Sequence, residues 1–165
     1  MSALPGTRRC VHLPAKSRAV SLASVLAISS GVDCSRIHVA SLPRRDYLFP
    51  KKSRPTLPAE WLAAKTHTTV SNAKMAISSL PIHVPKHFPH MPLAPLRFLS
   101  FLAALFGDPR ILIYESQGMN ARDRYLLHEF ATARYPDGAL VHCWSSNDPS
   151  CQLAPNCCNL NPSSG

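Results

Sequence analysis

The stretch Gly107-Asp108-Pro109-Arg110-Ile111-Leu112-Ile113-Tyr114-Glu115-Ser116-Gln117-Gly118-Met119-Asn120-Ala121-Arg122-Asp123-Arg124-Tyr125-Leu126-Leu127-His128-Glu129-Phe130 decides the fold. Ile111–Tyr114 is a continuous apolar run bounded by Pro109 and by Ser116 and Gly118, the pattern of a strand buried on both faces. Asn120 is a good helix N-cap, and Asp123 falls where the free N–H groups of a first turn favour a carboxylate. Leu126, Leu127, Phe130 and Ala131 then form an apolar stripe, leaving Arg122, His128, Glu129 and Thr132 to face water. Arg134 suits the last turn, Pro136-Asp137-Gly138 ends the helix, and Ala139-Leu140-Val141 begins a second strand.

Just upstream, Leu93–Phe106 is the most apolar segment of the chain, closed by Gly107 and Pro109 as a helix stop. Fourteen residues of helix reach about 21 Å, short of a bilayer core of about 30 Å, and Arg97 lies inside the run. The segment therefore reads as a buried or partner-facing helix, with no transmembrane segment. Before it, prolines 81, 85, 89, 92 and 95 impose an extended linker. His83, His87 and His90 sit on that ribbon, splayed apart, so no metal or other cofactor is expected there.

Working outward, order thins. The fold class expected is a mostly irregular chain with a small α+β island: a helix near 94–106, a strand near 110–114 and a helix near 121–135. No complete globular domain follows, since one such strand and helix cannot close a core. The island spans 96–142. Residues 33–95 read as a basic, Pro-rich disordered region in which Glu60–Ala76 offers a short helix, weakened by Thr66-His67-Thr68-Thr69-Val70. Residues 143–165 read as a Cys/Asn/Pro/Ser-rich tail. The first 32 residues hold four Lys/Arg and no acid, which suits a mitochondrial presequence; Ala19–Ile28 equally suits the apolar part of a secretory signal, or an unprocessed disordered terminus.

Charge is uneven along the 165 residues. Residues 1–92 carry 13 Lys/Arg and 3 acids, whereas 93–165 carry 5 Arg and 6 acids. A basic arm of that kind suits a polyanion: RNA, DNA or an anionic surface. Arg44, Arg45, Lys51, Lys52 and Arg54 lie among prolines that keep the backbone extended and the cations available to phosphates. Six cysteines (10, 34, 143, 151, 157 and 158) form no regular framework, and they leave the redox compartment open. There is no Gly-rich phosphate loop and no nucleophile-elbow pattern, so no catalytic residue is assigned.

The deciding stretch resembles the opening strand and helix of the Brix domain of ribosome-assembly factors. The residues that carry the likeness are Arg110-Ile111-Leu112-Ile113, Ser116, Gly118-Met119-Asn120, Arg122, Arg124, Leu126-Leu127, Glu129-Phe130 and Pro136. It covers about 28 residues, roughly 109–136. Glu115 and Gln117 depart from the small hydroxyl and basic residues usual there, and after Val141 nothing resembles the rest of the domain. The Gly-hydrophobic-Asn-x-Arg-x-Arg order resembles the large-subunit branch, while Asp108-Pro109-Arg110-Ile111 is equally compatible with small-subunit relatives.

The resemblance implies a non-enzymatic protein bound to pre-ribosomal RNA in the nucleolus, with Arg122 and Arg124 on phosphates beside the basic arm. Two other readings stay open on sequence alone. One is an organelle-targeted (mitochondrial) or secreted small protein with a cleaved N-terminus. The other is a reading frame with no evolved activity.

Overall fold

A computed structural model describes residues 6, 8–13, 19–43, 57–89 and 91–145. In chain order its elements are β1 (Arg8–Leu13), α1 (Ala19–Ser30), a one-turn 3-10 helix (Cys34–Arg36) and β2 (Ile37–Val39). These are followed by α2 (Pro58–Thr66), α3 (Val70–Ser78), α4 (Leu93–Leu105), β3 (Ile111–Glu115), α5 (Ala121–Arg134) and β4 (Ala139–Ser145). The expected helix–strand–helix island is present as α4, β3 and α5. It is the middle of an open four-stranded sheet of order β1-β4-β3-β2, every neighbouring pair parallel.

Local chemistry explains the island's boundaries. The Asn120 side chain accepts from the Asp123 N–H at 2.8 Å, and the Asp123 carboxylate accepts from Asn120 Nδ2 at 2.8 Å, so two groups at the start of α5 satisfy each other. Gly118 holds φ +81, a conformation side chains resist, and the turn it makes joins β3 to α5. At the end of α4 the left-handed residue is Asp108 (φ 47), not Gly107. Gly107 is required for another reason: a Cβ there would lie 2.0 Å from Cε1 of His38. Pro95 is tolerated because it falls in the first turn of α4, where N–H groups have no helical partner anyway.

The sheet separates two apolar layers, because successive strand residues point to opposite faces. Leu112, Tyr114 and Leu140 face α2, α4 and α5, packing with Trp61, Leu62, Phe88, Phe98, Leu99, Phe101, Leu127 and Phe130. Ile111, Ile113, Ala139, Val141 and Cys143 face the other way, where Leu26 and Ala27 of α1 and Ile37 of β2 complete a smaller cluster. β3 is thus buried on both faces, as its continuous apolar run requires. Phe101 meets Tyr114 and Phe130 edge-on, with ring centroids 5.7 and 6.0 Å apart.

Three sequence expectations change here. The stretch read as a disordered arm over 33–95 contains β2, α2 and α3: Pro58 pre-sets the first turn of α2, and Trp61 packs edge-on against the buried Phe88 at 5.7 Å. The β-branched run 66–70 breaks one expected helix into two. His67 turns left-handed, φ 55, and Thr69 caps α3 by accepting from Asn72 N–H. Third, part of the apolar stretch read as a targeting segment packs on the sheet within α1. The second strand begins at Ala139 as expected and continues to Ser145, which takes the first residues of the expected tail into the sheet. Residues 146–165 lie outside the described ones.

Candidate functional site

Parallel strands put all their carboxyl ends on one edge, and in such sheets ligands sit beyond that edge. From it the chain leaves β1 toward α1 through 14–18, β2 toward α2 through 40–57, and β3 toward α5 through 116–120. The first two connections carry seven cations (Lys16, Arg18, Arg44, Arg45, Lys51, Lys52, Arg54) and one acid, Asp46. The connections at the opposite edge, 31–36, 106–110 and 135–138, carry Arg36 and Arg110 against Asp33, Asp108 and Asp137. Arg36 is moreover paired with Asp108 at 3.1 Å.

Of the residues expected to contact RNA, Arg44, Arg45, Lys51, Lys52 and Arg54 lie outside the described residues. Arg122 is exposed in the first turn of α5, at the carboxyl edge. Arg124 is buried, 7% exposed, and this corrects its expected place on phosphates. Residues two apart on a helix point about 200° away from each other, so Arg122 and Arg124 cannot share a face.

Beneath the edge lies a buried polar cluster that sequence reasoning did not find. Ser116, 2% exposed at the end of β3, has its Oγ 2.7 Å from Nε2 of His142 on β4, itself 3% exposed. The Tyr114 ring stacks on His142 with centroids 4.9 Å apart, and its hydroxyl lies 2.7 Å from Nδ1 of His128 on α5. His128 was expected to face water; instead it is half-buried above Tyr114. Burial holds the His142 imidazole down to about 4, with His128 and then Arg124 opposing a further positive charge. A serine and an imidazole at this distance have the chemistry of a nucleophile and its base. Both are buried.

Beside this cluster, Arg97 of α4 reaches the end of β3. Its Nη1 donates to Glu115 at 2.9 Å and its Nη2 to the Gln117 carbonyl at 3.4 Å. The pair ties α4 to the turn that presents Arg122. The sequence signal for it is a lone arginine, Arg97, in an otherwise apolar helix. The thiol of Cys143, on the opposite face of the sheet, is pushed up to about 12 by burial and by the Glu115 carboxylate, which leaves it an unreactive apolar side chain.

A cleft of about 1060 Å³ runs along the free flank of β2, lined by His38, Val39, Trp61, Lys65 and Phe106 among others. Both ring nitrogens of His38 are engaged, Nδ1 2.7 Å from the Ala104 carbonyl and Nε2 3.1 Å from that of Ser35. His83 and His87 are exposed, and among the described residues no group of three His, Cys, Asp or Glu could hold a metal ion. Nor, among them, is any helix long and apolar enough to cross a membrane.

No family model matches the chain, and no curated protein does. Solved structures do resemble it in backbone. One is a bacterial Atm1-family ABC exporter with ATP bound, 11% identical, with a TM-score of 0.48 over 87% of this chain. The chain spans 30% of that exporter's length, and a likeness at this level carries no functional argument.

Proposed function

We propose that the protein is a non-enzymatic binder of RNA that holds the phosphate backbone along the carboxyl edge of its sheet. The observation that carries this reading is the parallel arrangement of all four strands. The carboxyl edge bears the exposed Arg122, and in sequence the two segments that follow β1 and β2 hold seven Lys/Arg and one acid, whereas the other edge bears Asp33, Asp108 and Asp137. Neutralising phosphates releases their counterions, so a cationic edge of this kind gains affinity without reading sequence. Burial of Ser116 and His142 supports binding over catalysis. The Brix-like segment points to pre-ribosomal RNA as the ligand, with the nucleolus as its location.

A second reading rests on one further observation. β1 passes to α1 through Lys16-Ser17, the order in which a phosphate-binding loop ends before its helix. Residues 14–18 contain no glycine, however, so the close backbone approach that cradles a nucleotide's phosphates is not encoded there.

The test is a titration of single-stranded RNA, and separately of ATP, over a salt series. RNA affinity is expected to fall linearly in log–log form. Substituting Arg44, Arg45, Lys51, Lys52 and Arg54 by glutamine should remove about 3 to 4 from the slope, at about 0.7 per lost phosphate contact. Substituting Arg36 and Arg110, at the other edge, should leave it unchanged. Salt-insensitive binding, or equal losses from the two edges, rejects the reading; saturable ATP binding without RNA binding selects the second.

A further inference from the structure

The cleft of about 1060 Å³ along β2 has walls from three elements: β2 with the residues that follow it, the C-terminal end of α2 and the C-terminal half of α4. That volume lies at the upper end of the range for small-molecule clefts, about 300–1,000 Å³. Part of the wall is apolar surface that meets solvent. Leu42 is 37% exposed and Phe106 41%, and Val39 and Ala103 belong to the same lining.

Three of the polar side chains in the wall are spent on main-chain carbonyls. Thr66 Oγ1 donates to Leu62 and Ser100 Oγ to Leu96, each at 2.7 Å, and both His38 nitrogens are engaged. Lys65 and His67, at the end of α2, are exposed and make no ion pair and no side-chain hydrogen bond among the described residues. Nor does any acid line the cleft among the described residues. The wall thus offers hydrocarbon with a basic end, which complements an apolar body bearing one negative charge.

Two other occupants fit less well. An added strand would need the free edge of β2. The Arg36 carbonyl and the Ala40 N–H face β3, so by alternation Ile37 and Val39 turn their peptide groups outward. The Ile37 N–H is already bonded to the Cys34 carbonyl and the Val39 carbonyl to the Ser41 N–H, which closes half of that edge. A nucleotide would need an aromatic face on which to stack, yet Trp61 is 5% exposed and packs edge-on against Phe88.

We propose that the cleft beside β2 binds a single-chain amphipathic carboxylate, its hydrocarbon against Val39, Leu42 and Phe106 and its head group on Lys65. The site stands apart from the RNA reading and is tested without RNA.

Decanoate, decanol and decylammonium, each below the concentration at which it aggregates, are titrated into the full chain by calorimetry and followed by amide NMR shifts. Decanoate should bind saturably and more tightly than the other two, with shifts gathered in residues 37–43, 61–67 and 100–107. Lys65→Gln should bring decanoate close to decanol, a loss of about two- to fivefold, the worth of an exposed charge contact. Ala103→Phe, which adds a ring to the wall, should weaken decanoate and decanol alike. Because Lys65 is exposed, its substitution leaves the core intact and decides the matter even where Ala103→Phe does not fold. The proposal is overturned by a lack of saturable decanoate binding, by equal affinity for decanoate and decylammonium, or by shifts centred on the exposed Val25 and Ile28 of α1. Decanoate affinity unchanged in Lys65→Gln overturns it as well.

Discussion

His142 shows how one residue acquires chemistry that its neighbours in sequence do not announce. Folding removes the ring from water and sets it near Arg124 and His128, so its ordinary value of 6.5 falls to about 4. Between those values the unfolded chain binds more protons than the folded one. The stability that rests on the neutral ring is therefore fully present above pH 6.5 and is lost as pH falls toward 4. The loss amounts to about 3 kcal/mol at most. Urea melts at pH 7.5 and 4.5 should show it in the natural chain, and His142→Phe should narrow the gap. Gly107 offers a second residue-scale prediction. An added methyl meets the His38 ring, which would have to leave its contact with the Ala104 carbonyl, 2.7 Å from Nδ1, to make room. Gly107→Ala should therefore cost about 1–3 kcal/mol in a urea melt, although its backbone conformation suits alanine. Neither result is legible in sequence: His142 is one of eight histidines, and its burial depends on residues brought from α5 and β3.

At the scale of elements, what could be read was what is decided locally. Ile111–Tyr114 announces a buried strand by composition alone, and Asn120 with Asp123 announces the start of α5, because each signal lies within a few residues of its effect. β2 is three residues long, and it is a strand only because Ile37, His38 and Val39 find Ile111, Leu112 and Ile113 more than seventy positions later. Nothing local marks it. α1 is ambiguous in sequence for the opposite reason. Its uncharged Ala/Ser/Val/Leu composition is shared by exported segments and by helices that lie on a sheet. Leu26 and Ala27 now give it a specific duty, covering Ile111, Ile113 and Ile37. Removing residues 1–35 should uncover that apolar layer and delete an edge strand. The shortened chain is expected to lose cooperative thermal unfolding and to bind a hydrophobic dye; an unchanged melt would show that α1 is dispensable.

Across the whole molecule, strand direction regroups charges that lie far apart along the chain. The sequence shows a basic first half and a slightly acidic second half, which describes two segments. Parallel topology regroups the described charges: aspartates from both halves, 33, 108 and 137, lie at one edge, and Arg122 lies at the other. That polarity could not be read without the strand directions, and it is why the salt-dependence experiment compares the two edges and not the two halves. Arg124 belongs to neither edge, since α5 turns it inward.

The sheet order also sets a timetable. Among the described residues β1, the first strand in chain order, pairs with β4, the last: Arg8 with Leu140 and Leu13 with Ser145. During synthesis Arg8–Leu13 has no native sheet partner until some 130 further residues have been joined. So long a loop slows closure. β3 and α5 lie close together in sequence, so their packing needs no such closure, while β1 must wait for β4.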